Sequence, residues 1–237
     1  MIPKKIHLSW NDKNVLESDH PLITNGLARL KKMNPDWTIE ISDDNDIEQY
    51  LKNVLSEENY GLIEKTHIVE KCDIWRLFKM FNEGGIYVDI DRLCNKKLSD
   101  VIDDGTLWVL PICRNWDFSQ DIMISVPNNL VFMKTIEMSL QRRREGNNNT
   151  YYLGAQTYMH AITGILFGKI INTNPGEKTF EEMREQIWKN HIGIKVFQED
   201  PPYETVIYKH DGSNLNHEMI KRDFYKQSGL KHWTGEW

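Results

Sequence analysis

Asp73, Arg76, Asp89 and Asp91 carry charge in a stretch that is otherwise largely apolar. Asp89 and Asp91 are separated by a single residue in Tyr87-Val88-Asp89-Ile90-Asp91. On an extended chain, alternate residues share a face, so both carboxylates converge on one side. Two like charges held there repel each other and gain little from packing. Their oxygens do suit a hard divalent cation that also takes phosphate oxygens. Asp73 and Arg76 are three residues apart, which makes them neighbours on a helix. A buried ion pair often contributes nothing net to stability, so this pair is either a structural bridge or a grip on a polar ligand.

The neighbouring sequence predicts the elements that must hold these groups. From Ile68 to Phe81 apolar residues recur at helical spacing, with Ile68, Cys72, Trp75 and Phe78 on one face and Ile74, Leu77 and Phe81 beside them. Val69, Asp73, Arg76 and Met80 form a row along one side of that helix. Gly84-Gly85 ends it, because glycine tolerates the left-handed backbone that turns a chain out of a helix. A strand over 86–91 then places Ile86, Val88 and Ile90 on one face and Tyr87, Asp89 and Asp91 on the other.

Upstream, Lys4 to Trp10 reads as a strand, Pro21 to Met33 as a helix, Trp37 to Ile41 as a strand, and the segment after Ser42-Asp43-Asp44 as a capped helix. This alternation predicts strands stacked in parallel beneath helices. Downstream, 106–110, 121–126, 192–197 and 205–208 read as strands, and 130–144, 151–167 and 181–189 as helices. No internal repeat or low-complexity linker interrupts them. The expectation is one domain over 1–237.

Composition narrows the function. The chain has 237 residues, 40% hydrophobic, with eight tryptophans, enough to bury a sizeable core. A net charge of -6 argues against a polyanion-binding surface, and Arg142-Arg143-Arg144 reads as a solvated helix end, so nucleic acid is not expected as a partner. Cys72, Cys94 and Cys113 have no paired framework or metal-ligand spacing and read as reduced thiols. No apolar run approaches the roughly 18 residues of a membrane span. A cytoplasmic setting is the expectation.

Ile2-Pro3-Lys4-Lys5-Ile6-His7 with Trp10, Asn34-Pro35-Asp36-Trp37, Lys71-Cys72-Asp73-Ile74-Trp75-Arg76 and Gly84-Gly85-Ile86-Tyr87-Val88-Asp89-Ile90-Asp91 together resemble the glycosyltransferases with a DXD-containing sugar-binding region. That family takes in fungal initiating mannosyltransferases and bacterial capsular-polysaccharide enzymes and, more distantly, the large clostridial glucosylating toxins. The resemblance covers roughly the first hundred residues. It implies a GT-A fold, a Rossmann-like mixed sheet flanked by helices, with 1–113 as the nucleotide-sugar and metal half and 114–237 as the acceptor side and C-terminal lid.

By the same resemblance the partners are a UDP- or GDP-hexose donor and a glycan or other hydroxyl acceptor. The cofactor is a divalent cation, Mn2+ or Mg2+, on Asp89 and Asp91. Asp73 and Arg76 would hold the donor sugar, with Tyr87 and Ile68 lining the pocket and Trp10 stacking on the base. Trp10 also fits a core position, and Tyr87 a cross-strand packing position. At the C-terminus, Glu236 would be a third metal ligand and Trp237 a cover over the diphosphate. Gln120 and Asp121 stand where related enzymes place a polar residue near the anomeric carbon. The family's Thr-Gly-Pro turn corresponds to Thr163-Gly164-Ile165. The resemblance further implies retention of anomeric configuration. Two other readings of paired carboxylates stay open, a metal-dependent nucleotidyltransferase and a sugar-nucleotide-binding module without catalysis.

Overall fold

The computed structural model describes residues 1–15, 21–91, 97–112, 116–198 and Lys226. Its centre is a six-stranded sheet made of β1 (Lys5–Ser9), β2 (Thr38–Ser42), β3 (Gly85–Val88), β4 (Trp108–Ile112), β5 (Ile122–Ser125) and β6 (Ile194–Gln198), in the order β2-β1-β3-β5-β4-β6. β1 pairs in parallel with β2 and β3, and β4 with β6, whereas β5 is antiparallel to both of its neighbours. The sheet is therefore mixed, as the family resemblance implies, and β5 is its one reversed strand among the described residues.

Helices cover both faces. α1 (Pro21–Met33) packs through Ile23, Leu27 and Leu30 against Ile6, Leu8, Ile86 and Val88. On the other face lie α2 (Asp44–Val54), α4 (Ile68–Asn82), α5 (Leu130–Arg144), α6 (Thr157–Phe167) and α7 (Glu177–Asn190), packed around Trp75, Tyr87, Phe132 and Tyr158; the short α3 (Glu57–Gly61) follows α2. Because both faces are covered, β3 is buried along its whole length. Its alternation survives as a choice between two cores, with Ile86 and Val88 toward α1 and Tyr87 toward α4.

Local chemistry sets the boundaries. Asp43 caps α2 by accepting from the Asp46 backbone while Asp46 accepts from the Asp43 backbone, a reciprocal capping box. α4 gives way to β3 through Gly84 and Gly85, at φ +64° and +93°. A Cβ on Gly85 would sit 2.6 Å from the Lys5 carbonyl oxygen, so sterics and backbone both demand glycine there. β3 ends at Val88, and Ile90 and Asp91 lie in a turn rather than on the strand. This corrects the expected strand over 86–91. The ladder stops where the chain must turn toward its ligand end, although apolar alternation continues in the sequence.

One further expectation changes in part. At the end of α5 Arg144 is exposed, but Arg143 pairs with Glu70, Arg142 donates to Thr157 and stacks over the Tyr152 ring, and Arg144 bonds Asn59. Thr163-Gly164-Ile165 lies inside α6, within the helix expected over 151–167, and the Thr163 hydroxyl donates to the Met159 carbonyl. The strand expected at 205–208 falls outside the described residues, as do Cys94 and Cys113. Among the described residues, no helix is long and apolar enough to cross a membrane.

Candidate active site

Because β1 and β3 are parallel, their C-terminal ends open on one edge of the sheet, and the reversed β5 begins there. Ile6 and His7 pair with Ile86 and Tyr87. Carried forward, that register brings Ser9 level with Asp89 and places Trp10 one residue beyond. From β5, the Asp121 carbonyl accepts from the Asp89 backbone N–H at 2.8 Å.

Arg76, reaching over from α4, is the hub. Its guanidinium pairs with Asp73, lies 3.3 Å from Asp89 Oδ1, and donates to the Gln120 carbonyl at 3.2 Å and the Tyr87 hydroxyl at 3.4 Å. It also sits over the Tyr87 ring, 5.1 Å from the centroid. The Tyr87 hydroxyl donates to Asp89 Oδ1 at 2.7 Å. Thus Asp73, Arg76, Tyr87, Asp89 and Gln120 form one hydrogen-bonded cluster drawn from α4, β3 and the entrance to β5.

The electrostatics fix its protonation. Burial alone would lower the Arg76 pKa, but Tyr87 and Asp89 more than offset that, and the guanidinium stays charged. Burial, reinforced by Asp89, pushes the Tyr87 hydroxyl well above its ordinary value, so it remains a donor. Burial likewise pushes up the Cys72 thiol, which lies 3.1 Å from the Ser9 hydroxyl and 3.9 Å from the Tyr87 hydroxyl. Cys72 is a thiol that packs, not a thiolate nucleophile.

The two acids of Asp89-Ile90-Asp91 differ in surroundings. The Asp89 side chain is 32% exposed and spends Oδ1 on Arg76 and Tyr87. Its Oδ2 remains for another partner. Asp91 is buried, at 6% exposure. Because β3 ends at Val88, the strand alternation expected to bring both carboxylates onto one face does not extend to Asp91. Glu236 and Trp237 lie outside the described residues.

Trp10 packs half-buried against the α1-side core, with its backbone N–H bonded to Ser42. Ile68 opens α4 one turn before Cys72 and is half-buried against the other core.

The sequence reading missed Gly154. The segment expected as one helix from 151 begins as a π-helical turn, Tyr152–Gln156, and only then becomes α6. A Cβ on Gly154 would lie 2.7 Å from Asp73 Oδ2 and 3.3 Å from Gln120 Oε1. Arg142 anchors this turn, and Thr150, just before it, donates to Glu70 of α4 at 3.0 Å. The only sequence signal was a glycine inside an apolar helical pattern.

A second charged cluster lies at the opposite end of β1. His7, Glu40 and Glu83 bring ligand atoms within 4.8 Å of one another. The ammonium groups of Lys5 and Lys79 already pair with both acids, so charge there is balanced without a metal. His7 is fully buried, with Nε2 3.0 Å from the Gly84 carbonyl. Burial lowers its pKa below 6.5. Glu83, despite partial burial, is drawn from 4.5 to about 2 by Lys5 and Lys79.

Both shifts mean that the unfolded chain binds more protons. Stability is therefore full above pH 6.5 and falls on acidification, first through His7 below 6.5 and then through Glu83 between 4.5 and about 2. Urea midpoints at about pH 7.5, 5.5 and 3.5 should show both losses. His7→Gln should reduce the upper one, leaving the part due to His160, whose pKa burial also lowers, and an unchanged upper slope in that variant would clear His7 of the effect.

The fold is GT-A. It matches the PaToxG glycosyltransferase with a TM-score of 0.54 at 19% identity, covering 79% of this chain and 74% of that one. The model of the glycosyltransferase sugar-binding region containing a DXD motif matches residues 3–108. An uncharacterised glycosyltransferase of Acanthamoeba polyphaga mimivirus is 28% identical over 69% of this chain and 65% of its own length. An inositol phosphoceramide mannosyltransferase of Schizosaccharomyces pombe is 25% identical over 54% of this chain and 40% of its own. A mannosyl phosphorylinositol ceramide synthase of Saccharomyces cerevisiae is 28% identical over 72% and 42%. The chain thus spans less than two thirds of the curated relatives it matches.

Proposed function

We propose that this chain is a retaining glycosyltransferase, a single catalytic domain that moves a hexose from a UDP- or GDP-sugar to a hydroxyl of a glycan or glycolipid acceptor. The observation that carries this reading is Arg76, shared between Asp73 on the helix and Asp89 at the strand end. One guanidinium links the carboxylate suited to sugar hydroxyls with the carboxylate suited to the phosphate end. The order is that of a nucleotide sugar.

In this reading Asp73 accepts from donor hydroxyls, Arg76 fixes Asp73 and Asp89 relative to each other, and Tyr87 keeps one oxygen of Asp89 occupied so that the other faces outward. Trp10, at the end of β1, is the candidate for stacking on the base. A divalent cation, Mn2+ by preference, would be held by Asp89 and Asp91 and would neutralise charge on the departing diphosphate. Glu236 and Trp237 would complete the metal site and cover the donor.

Among the described residues, no activated nucleophile stands in the cluster. Attack by the acceptor hydroxyl on the face the diphosphate leaves needs positioning and charge stabilisation, which these residues supply. The fungal relatives, by their names, act on inositol phosphoceramides, which makes an inositol-bearing sphingolipid one acceptor to try. The unpaired Cys72 accords with a reducing, cytosolic setting.

The test is release of nucleoside diphosphate from UDP-glucose, UDP-galactose, UDP-N-acetylglucosamine or GDP-mannose in the presence of Mn2+, with and without a sugar-alcohol or lipid acceptor. Turnover of one donor, accelerated by acceptor, is expected. Binding without release would make the chain a sugar-nucleotide-binding module, and release of pyrophosphate from a nucleoside triphosphate would make it a nucleotidyltransferase.

A further inference from the structure

The geometry points to Gly154 as a positioning residue for the donor sugar, acting through Asp73 and Gln120. This rests on the sugar-binding role proposed above for Asp73 and Arg76. Gly154 is buried at the centre of the π-helical turn and does not lie in the left-handed region, so its backbone does not require glycine. Alanine is the better residue in helical backbone. What glycine supplies is room: a Cβ would come within 2.7 Å of Asp73 Oδ2 and 3.5 Å of its carboxyl carbon, too close for the carboxylate to stay in place.

Asp73 has little space for retreat. Its Oδ1 is tied to Arg76, and the cavity beside it, lined by Glu70, Arg143, Thr150 and Leu153 among others, measures about 10 Å³. That is room for about one water. Across from it, the Gln120 side chain is buried, and its Nε2 has no hydrogen-bond partner among the described residues. A buried amide is costly to leave unpaired unless a ligand takes the bond. The bare backbone at 154 therefore lets a carboxylate acceptor and an amide donor converge, a combination that fits neighbouring hydroxyls on one hexose. The π-helical turn brings Gly154 there, and its anchor, Arg142, holds the turn to α5.

The test compares affinities for free UDP and GDP with those for UDP-glucose, UDP-galactose, UDP-N-acetylglucosamine and GDP-mannose, all with Mn2+, in the parent, Gly154→Ala and Gly164→Ala. Gly164 is a control in the same helix, with no atom near its missing Cβ. Gly154→Ala should keep the parent's affinity for the free nucleotide and lose the sugar-dependent increment, raising the donor KM about tenfold or more. Gly164→Ala should match the parent on both. If the parent gains affinity from a sugar and Gly154→Ala gains as much, the role of Gly154 is overturned while the donor reading stands. If the parent gains nothing from any sugar, both fall together. Should Gly154→Ala also lose free-nucleotide binding, Gln120→Ala opens space instead of closing it. That variant should lose the sugar increment alone, and retention of the increment there overturns the inference.

Discussion

Asp91→Ala is expected to lower donor turnover by roughly 10³-fold or more while leaving the urea midpoint near that of the parent. Stabilising charge on a leaving diphosphate is worth several kcal/mol, and about 1.4 kcal/mol corresponds to a factor of ten in rate. Losing roughly 4 kcal/mol of such stabilisation therefore gives the stated drop. The fold should tolerate the change because Asp91 lies in a turn after β3 rather than in the ladder. Asp91→Glu keeps the charge and should recover part of the rate at raised Mn2+. Turnover in Asp91→Ala equal to the parent's would remove this residue from the proposed metal site.

Arg76→Met is expected to cost about 3–5 kcal/mol of folding stability, as well as activity, because it strands charges that the guanidinium compensates. Asp73 and Arg76 have side chains only 14% and 11% exposed, so neither can turn to water for relief. Adding Asp73→Asn to Arg76→Met should return part of the lost stability without returning activity. Arg76→Lys should not rescue activity either, since one ammonium cannot reproduce the planar fork that reaches Asp73, Asp89, Tyr87 and Gln120 together. Chemical denaturation of the three variants checks the set. A loss under about 1 kcal/mol in Arg76→Met would mean that the pair is not an obligate part of the core.

Much of this arrangement was legible in residue order. The capped start of α2, the run from Ile68 through Gly84-Gly85 into β3, and the adjacency of Asp73 and Arg76 all depend on local periodicity and on glycine's backbone range. The sequence carries those directly. It also carried the candidate pairs, but not that Arg76 would reach from α4 to Asp89, a contact 13 residues away along the chain that depends on how α4 packs on β3.

Gly154 was hidden for a different reason. Apolar spacing over 151–167 fits one helix, and nothing in periodicity distinguishes a π-helical first turn from an α-helical one. The Thr163-Gly164 pair drew attention by its resemblance to a family motif, yet a Cβ on Gly164 would face open space while one on Gly154 would meet the Asp73 carboxylate. The three arginines illustrate the same limit, since their partners, Glu70, Asn59 and Thr157, come from α4, the α3 region and α6.

The reversed strand has a consequence for how this active site can change. Strands that run toward the ligand edge deliver residues there at their ends, and the loops that follow must then cross the opening. β5 arrives from the other direction, so Gln120 and Asp121 are delivered by the segment leading into it, from Trp116 onward. A lengthened or rewritten lead-in could present a different surface to an incoming acceptor while β3, α4 and the carboxylates they carry stay in register. One reversed strand thus divides the site into a fixed cradle and an exchangeable wall, and segment swaps between related chains would most simply be made there.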